Sequence, residues 1–241
     1  MDTTVASMDP SATVYATIDP EVRRLMARSN KVDDTFQRIT DALPEIDKHH
    51  LCIDGSSLIV EKLQPMWARY QERFVRLCML SSELATRAQR NAHEFSKVIL
   101  PCVLSETTSI AKKHEALTHF FQRMNPADRV DVEKASRDQE IASFKEDVQM
   151  FLEKYLKGVG YHHIDEDIKF LSTEIQAGVL EKIGGFSWIW ELTLSDAALL
   201  RNSDLERIRT DQSLKARIES MKTAYGILEC ALVEYARQIA Q

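Results

Sequence analysis

Between residues 63 and 98 apolar side chains return every seven positions. Leu63, Tyr70, Leu77, Leu84, Asn91 and Val98 form one column, and Trp67, Phe74, Ser81, Ala88 and Phe95 form the column beside it. Only Asn91 and Ser81 are polar. Steps of three and four residues put both columns on one face of an α-helix, whereas a strand changes face at every residue. A stripe sustained this long predicts a helix roughly 50 Å in length, buried along a coiled-coil-like seam. Pro65 suits a first turn, where its missing N–H leaves nothing unbonded, and Pro101 is expected to end the helix.

The same period returns near both ends of the chain. Ile18, Leu25, Val32, Ile39 and Ile46 stand against Val22, Ser29, Phe36 and Leu43, with Asp19-Pro20-Glu21 predicting a cap, a first-turn proline and an acidic first turn. Leu214, Met221, Leu228 and Tyr235 stand against Ile218, Tyr225, Leu232 and Ile239, and Ser203 with Glu206 predicts a capping box for a helix from about Asp204. Three less regular helices are expected between them. Val103, Ile110, Leu117, Phe121 and Met124 mark one. Ile141, Phe144, Val148, Phe151 and Tyr155 mark a second over about 128–157, whose polar first half is expected to project or to pair with another chain. Ile168, Leu171, Ile175 and Val179 mark a third, from about Asp165 to Ile183.

Glycine (7) and proline (6) are scarce, which agrees with long uninterrupted helices. The predicted fold is therefore all-α: an elongated antiparallel bundle of five or six long helices with coiled-coil-like heptad packing. Residues 18–241 form a single domain in this reading, residues 1–17 a disordered or loosely docked arm, and residues 184–195 an aromatic tip between helices.

Charge and motif narrow the function by exclusion. A net charge of −6 argues against nucleic acid, whose binding rests on cationic contacts to phosphate. The acidic N-terminus MDTTVASMDP does not resemble a secretory signal, and the longest uncharged runs fall far short of the roughly 20 residues a spanning helix needs. Cys52, Cys78, Cys102 and Cys230 form no CxxC pair and are expected to be reduced thiols, so the expected location is cytoplasmic.

No glycine-rich phosphate loop, nucleophile elbow or reactive-cysteine setting is present, and no catalytic residue or cofactor is predicted. Two histidine pairs are the metal candidates: His162-His163 ahead of Asp165, Glu166 and Asp167, and His49-His50 ahead of Cys52 and Asp54. Adjacent histidines on a helix diverge by about 100°, and HExxH is absent, so no metal is predicted and Asp165 is read as a helix cap. His114 falls on a seam position and is expected to be satisfied or partly exposed.

The segment GGFSWIW concentrates what remains. Gly184 and Gly185 precede Phe186, Trp188, Ile189 and Trp190, four large apolar side chains whose burial is worth roughly 6–12 kcal/mol. Three coverings compete: the protein's own bundle, another chain, or a lipid interface. Long heptad helices interrupted by a glycine-hinged apolar tip resemble, in layout, the cytolysin-A type of α-helical pore-forming toxin. The resemblance implies a soluble rod that exposes an apolar hairpin on meeting a membrane. A similar layout occurs in BAR domains, but their basic concave face does not suit an acidic chain. The function expected from the residues is non-enzymatic, through self-association or binding of another protein. The alternative is a membrane-active bundle whose 184–190 tip contacts lipid.

Overall fold

Long helices at both ends of the chain and one between them set the architecture. In the computed structural model the described residues are 10–53, 62–124, 130–156, 162–180 and 186–239. Helix α1 (Pro10–Ile53) begins ahead of the expected cap at Asp19 and runs through Pro20 and Pro44. Each proline removes a single i→i−4 bond, whereas the face of Val22, Leu25, Ser29, Val32, Phe36, Ile39, Leu43 and Ile46 is buried along its length. Instead of capping, Asp19 pairs with Arg23 one turn on, at 3.0 Å. Residues 10–17 of the expected arm are helical; residues 1–9 and the side chain of Ile18 lie outside the described residues.

Helix α2 (Leu63–Glu94) takes its start from α1. The N–H groups of Leu63 and Gln64 donate to the Asp47 carboxylate at 2.8 and 3.2 Å, so a neighbouring helix satisfies two of the free donors. The helix does not stop at Pro101. A π-turn at Phe95–Ile99, in which Leu100 N–H reaches back to the Phe95 carbonyl, leads into α3 (Leu100–Leu104) and accommodates the proline within the helical path.

Helices α4 (Ile110–Met124), α5 (Val130–Phe151, with a π-turn at Leu152–Leu156) and α6 (His162–Gln176) follow. Because α6 starts at His162, Asp165 lies in its first turn and does not cap it. Nor does α6 reach Ile183. Gly178 adopts φ 72°, a left-handed conformation that breaks the helix before Val179.

Then come α7 (Ser187–Arg201), the single turn α8 (Arg207–Thr210) and α9 (Gln212–Ile239). The last helix was expected from Asp204, but Asp204 Oδ1 accepts from the N–H groups of Glu206 and Arg207 in a local turn. Ser203 Oγ donates back to the Leu199 carbonyl and so caps nothing. The cap of α9 is Asp211, whose Oδ1 accepts from Leu214 N–H at 3.1 Å.

The result is an all-helical bundle, with no strand among the described residues. Helices α1 and α2 are antiparallel, with Phe36 stacked on Trp67 at 4.9 Å. Helix α9 lies in their trough, antiparallel to α2 through Ser81–Tyr235 (2.7 Å) and His93–Glu229 (2.8 Å), and parallel to α1 through Arg23–Glu234 (2.8 Å). Helix α6 docks along α1 by Arg28–Glu174 and Arg38–Asp167, both 2.7 Å. Arg73 of α2 holds α5, bonding Glu140 and Asp147 while its guanidinium lies over the Phe144 ring. Helix α4 folds back beside the far end of α2, where Phe95 stacks on Phe120 at 5.3 Å.

Lys113 is 1% exposed, and its ammonium donates to the Val103 carbonyl at 2.6 Å, at the last turn of α3. A helix C-terminus carries free carbonyls and partial negative charge, so the site favours a cation even as burial pulls the lysine pKa down. Its neighbour His114 is exposed.

Candidate functional site

Of the aromatic segment, Gly184 and Gly185 lie outside the described residues, and Phe186 opens helix α7. The Phe186 carbonyl accepts from Ile189 and Trp190 N–H at 3.1 and 3.2 Å, closing the first turn. The expected tip at 184–195 is thus helical from Ser187 onward, because Phe186, Ile189, Thr193, Ala197 and Leu200 recur at helical spacing and face the core.

The four apolar side chains divide in pairs. Phe186 (4% exposed) and Ile189 (1%) are core residues, and the Phe186 ring meets Tyr235 edge-on at 5.0 Å. Trp188 and Trp190 are half-buried, packed on the rim of that core. Beside Trp188 lies a cleft of about 120 Å³, walled by Val22, Leu25 and Phe186, with Arg24 and Arg28 at its edge. Deeper along α7, Asp196 accepts a 2.8 Å hydrogen bond from the Tyr225 hydroxyl, which ties the helix to α9.

The largest ring cluster is elsewhere. Phe36, Trp67, Phe74, Phe144 and Phe151 assemble from α1, α2 and α5, with the Trp67 indole N–H donating to the Phe36 carbonyl at 3.1 Å. These residues are scattered in sequence, so no local run announces them. Their role is packing.

Chemistry is sparse among the described residues. No group of three His, Cys, Asp or Glu side chains there is placed to hold a metal ion. His162 and His163 lie on the first turn of α6 and His49 and His50 on α1, with their side chains and those of Cys52 and Asp54 outside the described residues. Cys78, Cys102 and Cys230 are free thiols, respectively buried, half-buried and exposed. Burial pushes the Cys78 thiol up to about 12, far from the range of a reactive thiolate. No described helix is long and apolar enough to cross a membrane.

Surface features that the heptad columns do not mark are more informative. Val75 (44% exposed), Met79 (58%), Ile227 (51%) and Val233 (51%) are large apolar side chains in water on the outer faces of α2 and α9. They sit beside the columns rather than in them, so a full helical wheel of each helix would have found them. On α9, every exposed residue from Ser220 to Val233 is uncharged: Ser220, Thr223, Ile227, Cys230 and Val233. Val75 and Met79 edge a second groove, of about 390 Å³, between α1, α2 and the end of α9.

Comparisons with protein-family models, curated proteins and solved structures found no match to this chain.

Proposed function

We propose that this protein catalyses no reaction and works through its surfaces, by associating with a second copy of itself or with another protein. The observation that carries the reading is the α9 strip. In a chain with 28% charged residues, the exposed positions from Ser220 to Val233 hold no charge across about four helical turns, and two of them are half-exposed branched aliphatics. Apolar surface grouped along one helix face gains free energy when another surface covers it, at about 25 cal/mol per Å². Lys222 and Glu229 flank the strip but are engaged with Glu219 and His93, which leaves its centre free of competing charge.

Sedimentation and light scattering test this directly. The native chain is expected to show a concentration-dependent dimer that Ile227→Lys with Val233→Lys abolishes at unchanged melting temperature. A monomer at every concentration would rule out self-association, and a dimer indifferent to both changes would move the contact off α9.

A second reading is membrane contact at the 186–190 segment. It is favoured by Trp188, half-buried at a cleft edged by Arg24, a cation beside an aromatic ring as at a lipid headgroup region, although Glu21 shares that edge and Arg28 is held by Glu174. Vesicles of anionic lipid should then blue-shift tryptophan emission. Unchanged emission and no co-sedimentation would dispose of it.

A further inference from the structure

The groove between α1 and α2 beside the last described turn of α9 has a definite chemistry. Val75, Met79 and Ile239 give it an apolar wall, and the Cys78 thiol lies at its base. Asp33 of α1 and Glu83 of α2 supply carboxylates to its two sides, and no lysine or arginine is among the described residues that line it. Neither carboxylate has an ion-pair partner among the described residues, in contrast to Asp47, Asp147, Asp167 and Glu174, which are all engaged. Burial and the neighbouring Asp34 raise the Asp33 pKa, as expected of a carboxylate without a cation.

An apolar wall between two uncompensated carboxylates is complementary to an apolar face flanked by cations. We propose that this groove docks a basic amphipathic helix of a partner protein, its apolar side chains on Val75, Met79 and Ile239 and its lysines or arginines on Asp33 and Glu83. The occupant follows from charge. Anionic lipid would meet two carboxylates, and the exposed positions of the α9 strip of a second copy are uncharged, with the flanking Lys222 already paired to Glu219. A helix rather than a strand fits because the walls are themselves helices, whose grooves accept side chains at three- and four-residue spacing. The proposal rests on the reading that the protein acts by binding another chain, and it names the chemistry of that chain.

A short Leu/Lys peptide of helical spacing, with a matched Leu/Glu peptide, tests it on the full chain by fluorescence polarisation. The Leu/Lys peptide should bind with one-to-one stoichiometry and the Leu/Glu peptide should not. Asp33→Asn with Glu83→Gln is expected to weaken binding about tenfold, and Met79→Gln about fivefold. Glu115→Gln with Glu166→Gln, the same charge change at exposed carboxylates elsewhere, should leave binding within about twofold. The varied positions are all solvent-facing, and hydrogen exchange of the unvaried protein gives a readout that needs no variant: bound peptide should protect α1 near Asp33 and α2 near Met79. Equal losses in the control pair, equal binding of the Leu/Glu peptide, or no protection at the groove would overturn the proposal. So would a dimer that Met79→Gln dissolves, since the occupant would then be a second copy. The sedimentation experiment on Ile227 and Val233 does not involve the groove, so the wider reading stands or falls separately.

Discussion

Tyr235 is fully buried, yet its hydroxyl meets Ser81 at 2.7 Å across the α2–α9 seam. Ser81 is the polar member of an otherwise apolar column, and the structure shows why it is tolerated: its partner arrives from a helix 154 residues away. A buried hydroxyl without a partner costs about 1–3 kcal/mol. Tyr235→Phe is therefore expected to destabilise by about 1–3 kcal/mol and Ser81→Ala by less, because Ser29 also reaches the Tyr235 hydroxyl, and the double variant should cost clearly less than the sum of the two. Denaturant titration of the four proteins checks this; strictly additive losses would mean that the two hydroxyls do not depend on each other. Lys113 follows the same logic with a charge in place of a hydroxyl, its ammonium satisfied by a helix-end carbonyl.

Elements drift from the sequence pattern in a way geometry explains. A straight α-helix falls about 20° behind a seven-residue repeat in each heptad, so over the length of α2 the apolar column turns away from the seam. Val98, the last member of that column, lies in the π-turn, which shifts the register as well, and is 55% exposed, while Ala85, Ala92 and Ile99 are buried. Helix ends drift for another reason. Pro20, Pro44 and Pro101 all lie within continuous helical paths, where burial of the neighbouring helical face, such as Val22, Leu43, Ile46, Leu100 and Val103, outweighs one missing bond. Glycines divide by conformation. Gly178→Ala places a Cβ at φ 72° and should destabilise by about 1–2 kcal/mol. Gly226 lies inside α9 with open space where its Cβ would be, so Gly226→Ala should stabilise by about 0.5–1 kcal/mol. Thermal melts of the two variants should move in opposite directions, and a shared direction would contradict the assignment.

At the scale of the whole molecule, the three-helix centre makes stability sensitive to alkali. Burial pushes Tyr235 from its ordinary 10.0 up to about 12, and Cys78 from 9.0 up to about 12. Both pKa values are raised on folding, so the neutral groups contribute fully below the unfolded values and that contribution is lost as pH climbs from about 9 to about 12. Each accounts for on the order of 3 kcal/mol across that window. Unfolding free energies between pH 8 and 11 should fall, and Cys78→Ala should flatten the part of the fall that begins near pH 9. An unchanged slope in that variant would mean that the thiol ionises as freely in the fold as out of it. The periphery behaves differently: α6 and α5 are fastened by ion pairs at the surface, such as Arg38–Asp167 and Arg73–Glu140, which are individually weak and screened by salt.

The all-α class, the helices and most of their buried faces were legible from the chain alone. Periodicity is local: Val22 to Ile46, Leu63 to Phe95 and Ile218 to Tyr235 each reveal their inward side without reference to any other segment. The GGFSWIW segment was equally visible as a block of apolar area needing cover, but sequence could not choose the cover. Tertiary structure decided that Phe186 and Ile189 face their own bundle and leave Trp188 and Trp190 on the rim, because that depends on where Tyr235 and Val22 arrive from distant helices. It also decided which apolar residues remain outside, since whether Met79 or Ile227 meets a neighbour is a property of the assembled helices and not of either one. The pairing of Asp33 with Glu83 around one groove is of the same kind: the long stretch of chain between them hides it, and the antiparallel packing of α1 on α2 creates it.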